Sequence, residues 1–455
     1  MKGRNTMGLP TRATLVVTCR DLLTLALLIF MLPLSLISAL VGLAVGLPAF
    51  FSRRPVRSRG LTVMLSGGKM TKSLQLARLF HLDGYRVVLC ESRKYRFSGH
   101  RFSSAVDAFH TLPAPGSQRY AQELVRIATA ECADFYIPVC SPESSIYDAL
   151  AKEALPRNCK VIHPDPETLR QLDDKFAFAS LAASLDLRAP KSFKITDPQQ
   201  VLTFDFSQHK RPFILKSIRY DAVRRLDLTH LPLASPEETA AFVTQLPISQ
   251  DNPWVLQEYI DGTEYCTHST IRDGQVRLHC CCESSAFQVN YQHVDQPEIS
   301  EWIRCLASAT CVTGQLSFDF IRAADDGEIY AIECNPRTHS AITTFHDHPG
   351  VAEAYLGADP RQDPIEPLAT SRPTHWIYHE LWRLFKTFGK PRRFLTELKG
   401  LLSGKDAIFD PLDPLPFLLV HHLQIPSLLL RDLREQRGWK RIDFNIGKLV
   451  QAGGD

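Results

Sequence analysis

Residues 316–337 read Leu-Ser-Phe-Asp-Phe-Ile-Arg-Ala-Ala-Asp-Asp-Gly-Glu-Ile-Tyr-Ala-Ile-Glu-Cys-Asn-Pro-Arg, and they gather acid, amide and guanidinium groups at short spacing. Two β-rich runs flank Asp325-Asp326-Gly327, the pattern of a hairpin whose three-residue loop places Gly in the left-handed position. With Ala324 opposite Glu328, counting back along both strands puts Asp319 opposite Glu333. Asn335 lies two residues further on and projects from the same face. Phe318, Phe320, Ile332 and Cys334 form the other, apolar face. Two carboxylates and an amide are hard oxygen ligands of the kind that hold Mg²⁺ against phosphates. An ordinary hairpin with a wet polar face has the same spacing. An EF-hand does not fit, because Arg322 and Ala324 stand where acidic ligands are required.

Other candidate groups come earlier in the chain. Lys175 sits in Asp173-Asp-Lys-Phe176, within a helical pattern that starts at Glu167. Lys216 ends the apolar strand Phe213-Ile-Leu-Lys216. Gln257 and Glu264 flank the strand-to-turn passage Tyr259-Ile260-Asp261-Gly262. A lone lysine after an apolar strand is ordinarily solvated, so each of these gains meaning only from the others.

The elements that must position these groups follow from periodicity. Leu61–Leu65 and Tyr85–Cys90 are short strands around a helix over 71–82, a βαβ unit of a doubly wound parallel sheet. Ser66-Gly67-Gly68-Lys69 between them is not a P-loop, since Val63 replaces the first glycine. A tight turn before an open helix N-terminus remains, and such a turn can hold an anion. A further β-α alternation covers 133–163. A hairpin is expected over 264–282, and helices over 301–311 and from Trp376.

Composition narrows the functional classes. The 455 residues carry a net charge of +3, too small to argue for nucleic acid, with 44% hydrophobic and 22% charged residues. The twelve cysteines lack CxxC spacing and read as reduced, which places the body in the cytoplasm. Cys280-Cys281-Cys282 reads as packed small side chains that alternate faces of a strand. Leu22–Phe51 contains no charged residue and exceeds the roughly 20 residues that span a bilayer. Basic residues flank it: Lys2, Arg4, Arg12 and Arg20 before, Arg53, Arg54, Arg57 and Arg59 after. Pro33 and Pro48 interrupt it, so a spanning anchor and a re-entrant or surface-lying segment kinked at Pro33 both fit. The apolar stretch 411–430 is broken by Pro414, Pro416 and Pro426, which favours a helix on the body or on the membrane surface. The expected organisation is a membrane segment at 1–59, an α/β domain at 60–164, a two-part domain at 165–360 and a helical region at 361–455.

In order and separation, Lys175, Lys216, Gln257, Glu264, Asp319, Glu333 and Asn335 resemble the ATP-grasp superfamily. The resemblance implies a mixed α/β and α+β chain, with ATP held between two subdomains of an ATP-grasp fold. It further implies that Lys175 and Lys216 contact the α- and β-phosphates and that Gln257 meets the adenine amino group. Glu258, Tyr259 and Ile260 continue along the adenine edge, Glu264 takes the ribose hydroxyls, and Asp319, Glu333 and Asn335 ligate Mg²⁺, with Mn²⁺ as the alternative. Arg337 then steadies the transferred phosphoryl group. Two features depart from the pattern: Ser217–Arg225 lacks the glycines of the usual flap and offers Arg219, Arg224 and Arg225 instead, and Ser317 replaces a basic residue.

Longer runs resemble the mycosporine-glycine synthase family within that superfamily: 65–72, 172–178, 189–198, 266–270, 285–288, 332–342 and 441–449. This resemblance implies phosphorylation of 4-deoxygadusol by ATP, then displacement of phosphate by glycine to give mycosporine-glycine and ADP. His339 is then either a base toward the glycine amine or a hydrogen-bonded wall histidine. Thr338, Ser340, Cys266, Thr267, His268 and Ser285 are further candidates near the acceptor. A carboxylate–amine ligase with another acid and another amine is the alternative function.

Overall fold

Short buried strands alternating with amphipathic helices build the first sheet. The computed structural model describes residues 12–52, 58–139, 141–218, 224, 227–284, 290–358 and 363–451. After the long helix α1 (Arg12–Ser52) come β1 (Thr62–Leu65), α2 (Thr71–Leu82), β2 (Arg86–Ser92), β3 (Ala108–Leu112), α3 (Tyr120–Ala130), β4 (Phe135–Ile137), α4 (Ser145–Ala151) and β5 (Lys160–Val161). The five strands are all parallel, in the order β3-β2-β1-β4-β5. A sheet with β1 at its centre, buried on both sides by helices, needs strands that are apolar throughout, and Thr62–Leu65 is buried at every position. The strand β3 has no clear apolar run and was not expected from the sequence.

The turn 66–69 is packed shut. Gly67 adopts φ +70°, and a Cβ there would fall 1.8 Å from the Val139 carbonyl oxygen. The Thr71 amide at the start of α2 donates to the Asn445 carbonyl at 2.9 Å, and the Lys69 ammonium lies 3.6 Å from Glu91. The expected anion-holding helix start is therefore closed by the C-terminal segment.

The helix expected from Glu167 onward is two helices, α5 (Pro166–Asp173) and α6 (Lys175–Ser184). Asp174 breaks them apart. Its extended backbone lets its carboxylate accept from the Phe176 and Ala177 amides, both at 2.9 Å, as an N-cap. Next come β6 (Ser192–Ile195), α7 (Pro198–Leu202), β7 (Phe213–Ser217), α8 (Pro236–Val243) and β8 (Trp254–Glu258), whose strands pair antiparallel in the order β6-β8-β7.

The second antiparallel sheet has the order β10-β9-β12-β13. It comprises β9 (Gly262–Arg272), β10 (Gln275–Glu283), β12 (Gly314–Ala323) and β13 (Ile329–Asn335), with the two-residue strand β11 (Asn290–Tyr291) and helix α9 (Pro297–Thr310) between. Phe318 and Phe320 face α6 and α9 and pack with Phe178 and Trp302; each buried ring contributes roughly 2 kcal/mol. Cys280, Cys281 and Cys282 are all fully buried. Cys281 joins this core, while its two neighbours face the core on the other side of the sheet, as alternation requires.

The region after α10 (Val351–Leu356) is less helical than expected. It holds β14 (Thr374–His375), α11 (Ile377–Thr387), α12 (Pro391–Ser403), β15 (Lys405–Asp406), α13 (Leu415–Leu419), α14 (Ile425–Glu435), β16 (Trp439–Asp443) and β17 (Lys448–Gln451). β14 bridges β11 and β15, and β16 and β17 form a hairpin. Helix α1 runs unbroken through Pro33 and Pro48. Its stretch Val16–Leu47, which holds an 18-residue window of mean hydropathy 2.5, is the one helix among the described residues long and apolar enough to cross a membrane.

Candidate active site

The hairpin β12–β13 places Asp319 opposite Glu333, as the sequence count predicts, but by another route. The Ala323 amide donates to Glu328, so the loop has four residues, 324–327, rather than three. A bulge then falls between Asp319 and Phe320, opposite Ile332, and restores the pairing. The two offsets cancel at Glu333 but not before it: Ala331 enters the core, and Ile332 turns to the polar face instead of the apolar one expected.

That polar face is the floor of a cleft of about 600 Å³, within the range of small-molecule sites. Lys175 reaches it because the break at Asp174 makes it the first residue of α6. Its ammonium lies 3.4 Å from Glu333. Lys216 enters from β7, and burial lowers the basicity of its amine while Glu333 opposes that shift. Gln257, Glu258, Tyr259 and Ile260 line the opposite wall, and Glu264 lies at the start of β9. Arg224 also lines the cleft, whereas Arg219 and Arg225 fall outside the described residues.

The charges are interlocked. Burial and the facing Glu333 push the Asp319 carboxyl well above the usual range. Burial pushes Glu333 upward too, but Lys175 and Lys216 outweigh it and hold Glu333 at about 2. Asn335 donates its amide to Asp319 at 3.4 Å and to Glu333 at 3.3 Å, and its oxygen accepts from Arg337. Arg337 also reaches Asp173 at 3.3 Å. A pair of facing carboxylates, one resisting ionisation, is the donor set a divalent cation relieves. Asp319 and Glu333 fit that role directly, and Asn335 fits it once its amide turns its oxygen inward. No group of three or more His, Cys, Asp or Glu is assembled as a metal centre among the described residues.

On the wall formed by Gln257 to Ile260, Gln257 donates to the Ser192 hydroxyl at 3.4 Å, and the Glu258 carboxylate accepts from the Lys191 amide at 3.4 Å. The Tyr259 amide is committed to the Pro212 carbonyl at 2.8 Å. Of the Tyr259 backbone groups, only its carbonyl is then left for an adenine edge.

His339 does not line the cleft. It caps the 3₁₀ turn Ser340–Phe345, with its Nδ1 accepting from the Ala341 amide at 3.3 Å. Burial, with Lys72 and Arg337 nearby, lowers its pKa to about 3. A ring that accepts at Nδ1 carries its proton on Nε2, which favours the wall reading over the base reading. Around it lie Thr338 and Ser340, together with Lys72, Gln315 and Asn445, to which sequence reasoning gave no role. The Lys72 ammonium donates to the Thr338 carbonyl, the Thr338 hydroxyl donates to Gln315 at 2.6 Å, and the Ser340 hydroxyl donates to Asn445 at 2.9 Å. His268 accepts from the His339 amide at 3.3 Å, Thr267 bonds Phe318 backbone, and Cys266 is core. Lys72, Gln75 and Arg78 are all buried on one helix at spacing three and form a polar junction there, although polar residues at that spacing read in the sequence as a solvated helix face. Ser285 falls outside the described residues.

No family model matches the chain. The C-terminal section of the carbamoyl phosphate synthase large chain of Methanopyrus kandleri is 21% identical over 217 residues, 44% of this chain and 39% of that protein. The chain thus spans about two fifths of the length of that curated relative. Among solved structures, the ADP complex of purK, N5-carboxyaminoimidazole ribonucleotide synthetase, is 16% identical with a TM-score of 0.50, covering 70% of this chain and 81% of that one. The N5-carboxyaminoimidazole synthetase of Staphylococcus aureus is 14% identical with a TM-score of 0.51, covering 70% and 82%. The biotin carboxylase–β,γ-ATP complex of Campylobacter jejuni is 17% identical with a TM-score of 0.50, covering 66% and 72%. Together with the parallel sheet and the two antiparallel sheets around the cleft, these likenesses show that the chain has an ATP-grasp α/β fold.

Proposed function

We propose that the protein is an ATP-dependent ligase that forms a carbon–nitrogen bond, with 4-deoxygadusol and glycine as substrates and mycosporine-glycine, ADP and phosphate as products. The observation that carries the ligase reading is the convergence of Lys175, Lys216, Asp319, Glu333 and Asn335 on one cleft. The substrate choice rests on the sequence resemblance alone. In this reading Gln257 to Ile260 take the adenine, Glu264 the ribose and the two lysines the phosphates. Asp319, Glu333 and Asn335 would hold Mg²⁺ or Mn²⁺, which when bound neutralises phosphate charge. Phosphoryl transfer demands positioning and charge neutralisation more than covalent help.

The reaction balances in two displacements. The enolic oxygen of the acceptor attacks the γ-phosphorus of ATP, and ADP leaves. The glycine nitrogen attacks the carbon bearing that oxygen, phosphate leaves with the C–O bonding pair, and the ammonium proton passes to solvent. Arg337, anchored by Asp173 and Asn335, faces the transferred group. Thr338 to Ser340 run from there to Lys72 on α2, and the acceptor belongs at that junction. The helix α1 and the basic residues beside it support a membrane-associated protein with a cytoplasmic body.

Incubating the full chain with ATP, Mg²⁺, glycine and 4-deoxygadusol tests the reading. Phosphate release that needs both glycine and the cyclohexenone is the expected result. Release driven by a carboxylic acid in place of the cyclohexenone would establish the alternative carboxylate–amine ligase. No release with any acid or amine, despite ATP binding, would overturn both.

A further inference from the structure

A helix can cross a hydrocarbon core of about 30 Å only if the protein around it also enters that core. In α1 one narrow stripe, Asp21, Leu28, Ser35, Ala39, Gly42 and Gly46, is buried against the body. At 1.5 Å per residue this stripe runs about 38 Å. Its partners belong to the folded body. Asp21 accepts from the Trp439 indole, the Arg20 guanidinium lies 3.9 Å over the same ring, and Ser35 meets the Tyr378 hydroxyl at 3.3 Å. A Cβ at Gly42 would lie 2.9 Å from the Phe409 ring. Beyond α1, Arg59 pairs with Asp83 at 2.7 Å and lies over Tyr85. The helix therefore adheres to the body along the length that a crossing would need to keep free. Its opposite face is apolar and open, with Phe30 78% exposed.

Helix α11 continues that open face. Tyr378, which touches Ser35, is followed at helical spacing by Trp382, Phe385 and Phe388, and Phe385 and Phe388 are 70% and 81% exposed. The inward side of α11 instead holds Glu380, Leu384 and Thr387. This helix shows its aromatics to the outside and buries a carboxylate, the reverse of a water-facing helix. Phe394 of α12 packs edge-on against Phe388, while Leu395 and Leu402 point outward. Between Trp376 and Gly404 lie six basic residues and two acidic ones. Both acids are engaged internally, Glu380 by Arg383 at 3.0 Å and Glu397 by Arg383 at 2.8 Å. Aromatic and basic residues mixed on one exposed face suit an anionic headgroup layer. The same basic excess on two facing copies would repel, which argues against self-association.

We propose that the outer face of α1 and the α11–α12 hairpin form a single monotopic membrane surface. It seats the protein on one leaflet containing anionic lipid headgroups, with α1 lying along the interface rather than crossing it.

Two measurements on the full chain test this. In sealed, cytoplasmic-side-out membranes from cells expressing the chain with an N-terminal epitope tag, added protease is expected to remove the tag together with the body. A tag protected while the body is digested would show that α1 spans and would overturn the proposal. Purified protein is expected to bind phosphatidylcholine vesicles about tenfold more tightly when phosphatidylglycerol is included. Two double variants, Phe385→Glu with Phe388→Glu and Lys390→Glu with Arg392→Glu, should each weaken that binding by about tenfold or more. Unchanged melting temperature and ATP binding would show that both variants are folded. Binding indifferent to lipid charge and to both variants would leave α1 as the whole attachment and overturn the shared surface. A dimer in the absence of vesicles, dissociated by the phenylalanine variant, would assign the face to a second copy of the chain and overturn it too.

Discussion

Asp319 and Glu333 face each other at the floor of the cleft, yet they are held in opposite states. Lys175 and Lys216 keep Glu333 ionised, while burial and Glu333 itself resist ionisation of Asp319. Replacing Glu333 with Gln removes the charge that both lysines balance. Loss of ATP turnover by about 10²-fold or more is expected, read as ADP release over a Mg²⁺ titration. Wild-type turnover at ordinary Mg²⁺ would remove Glu333 from the cation site. Asp319→Asn should abolish turnover as severely, but for the nucleotide-free protein the sign reverses. Taking away a carboxylate that resists ionisation beside Glu333 should stabilise the fold by about 1 kcal/mol, seen as a higher melting temperature. A lower melting temperature would mean that Asp319 supports the fold rather than the site. These two acids and Asn335 were legible in the sequence because a hairpin's alternation places them on one face. Lys72 and its neighbours were not, because a buried lysine on a helix reads as surface until the C-terminal segment is folded over it.

At the scale of elements, two local breaks set the site. Asp174 ends α5 and caps α6, which brings Lys175 to the cleft. The bulge beside Asp319 offsets the longer loop, so that Glu333 arrives opposite its partner. Hydrophobic periodicity continues smoothly across 167–181, so the first break left no mark in the pattern; only a cap residue, Asp174, hinted at it. The bulge is set by pairing in the sheet and carries no local signature. A close contact joins the Gln257–Ile260 wall to the hairpin. Gly262 opens β9 opposite Ala323, and a Cβ there would lie 2.0 Å from the Arg322 carbonyl oxygen. Gly262→Ala should therefore separate the two strands where the cleft wall turns, costing about 1–3 kcal/mol and weakening nucleotide affinity alongside stability. Chemical denaturation and ADP titration check this. An alanine variant as stable as the parent, with unaltered affinity, would show that the close approach is relaxed in solution.

The whole molecule buries an unusual set of neutral imidazoles. Burial lowers His100, His339 and His421 to about 3, and His163 and His279 to about 4. In the unfolded chain each titrates near 6.5. Below that value the unfolded state binds protons that the folded state refuses, so stability falls as pH falls. The full contribution is present above about pH 6.5 and is lost progressively toward pH 3–4, by about 1 kcal/mol per histidine per pH unit. Melting temperature measured at constant ionic strength should be level above pH 7 and drop steeply between pH 6.5 and 4. A level curve through pH 5 would mean that these rings protonate inside the fold. Nucleotide should act on the same scale. ADP with Mg²⁺ at 100 times its dissociation constant adds about 2.7 kcal/mol, and Glu333→Gln should remove most of that gain.

Alternation and local composition alone determined the parallel sheet and the hairpin over 264–282, and they placed Asp319, Glu333 and Asn335 on one face of a second hairpin. They also determined the long apolar helix near the N-terminus and the packing of Cys280 to Cys282 on opposite faces. Each of these depends on residues close in the chain, whose geometry is set by backbone period. Only the tertiary structure decided that the turn at 66–69 is closed by Asn445, that His339 is a half-buried wall residue and that Ile332 turns into the cleft. It alone showed that α1 clings to Trp439, Tyr378 and Phe409 along its length. Those outcomes depend on contacts between segments up to several hundred residues apart, for which a one-dimensional pattern carries no distance.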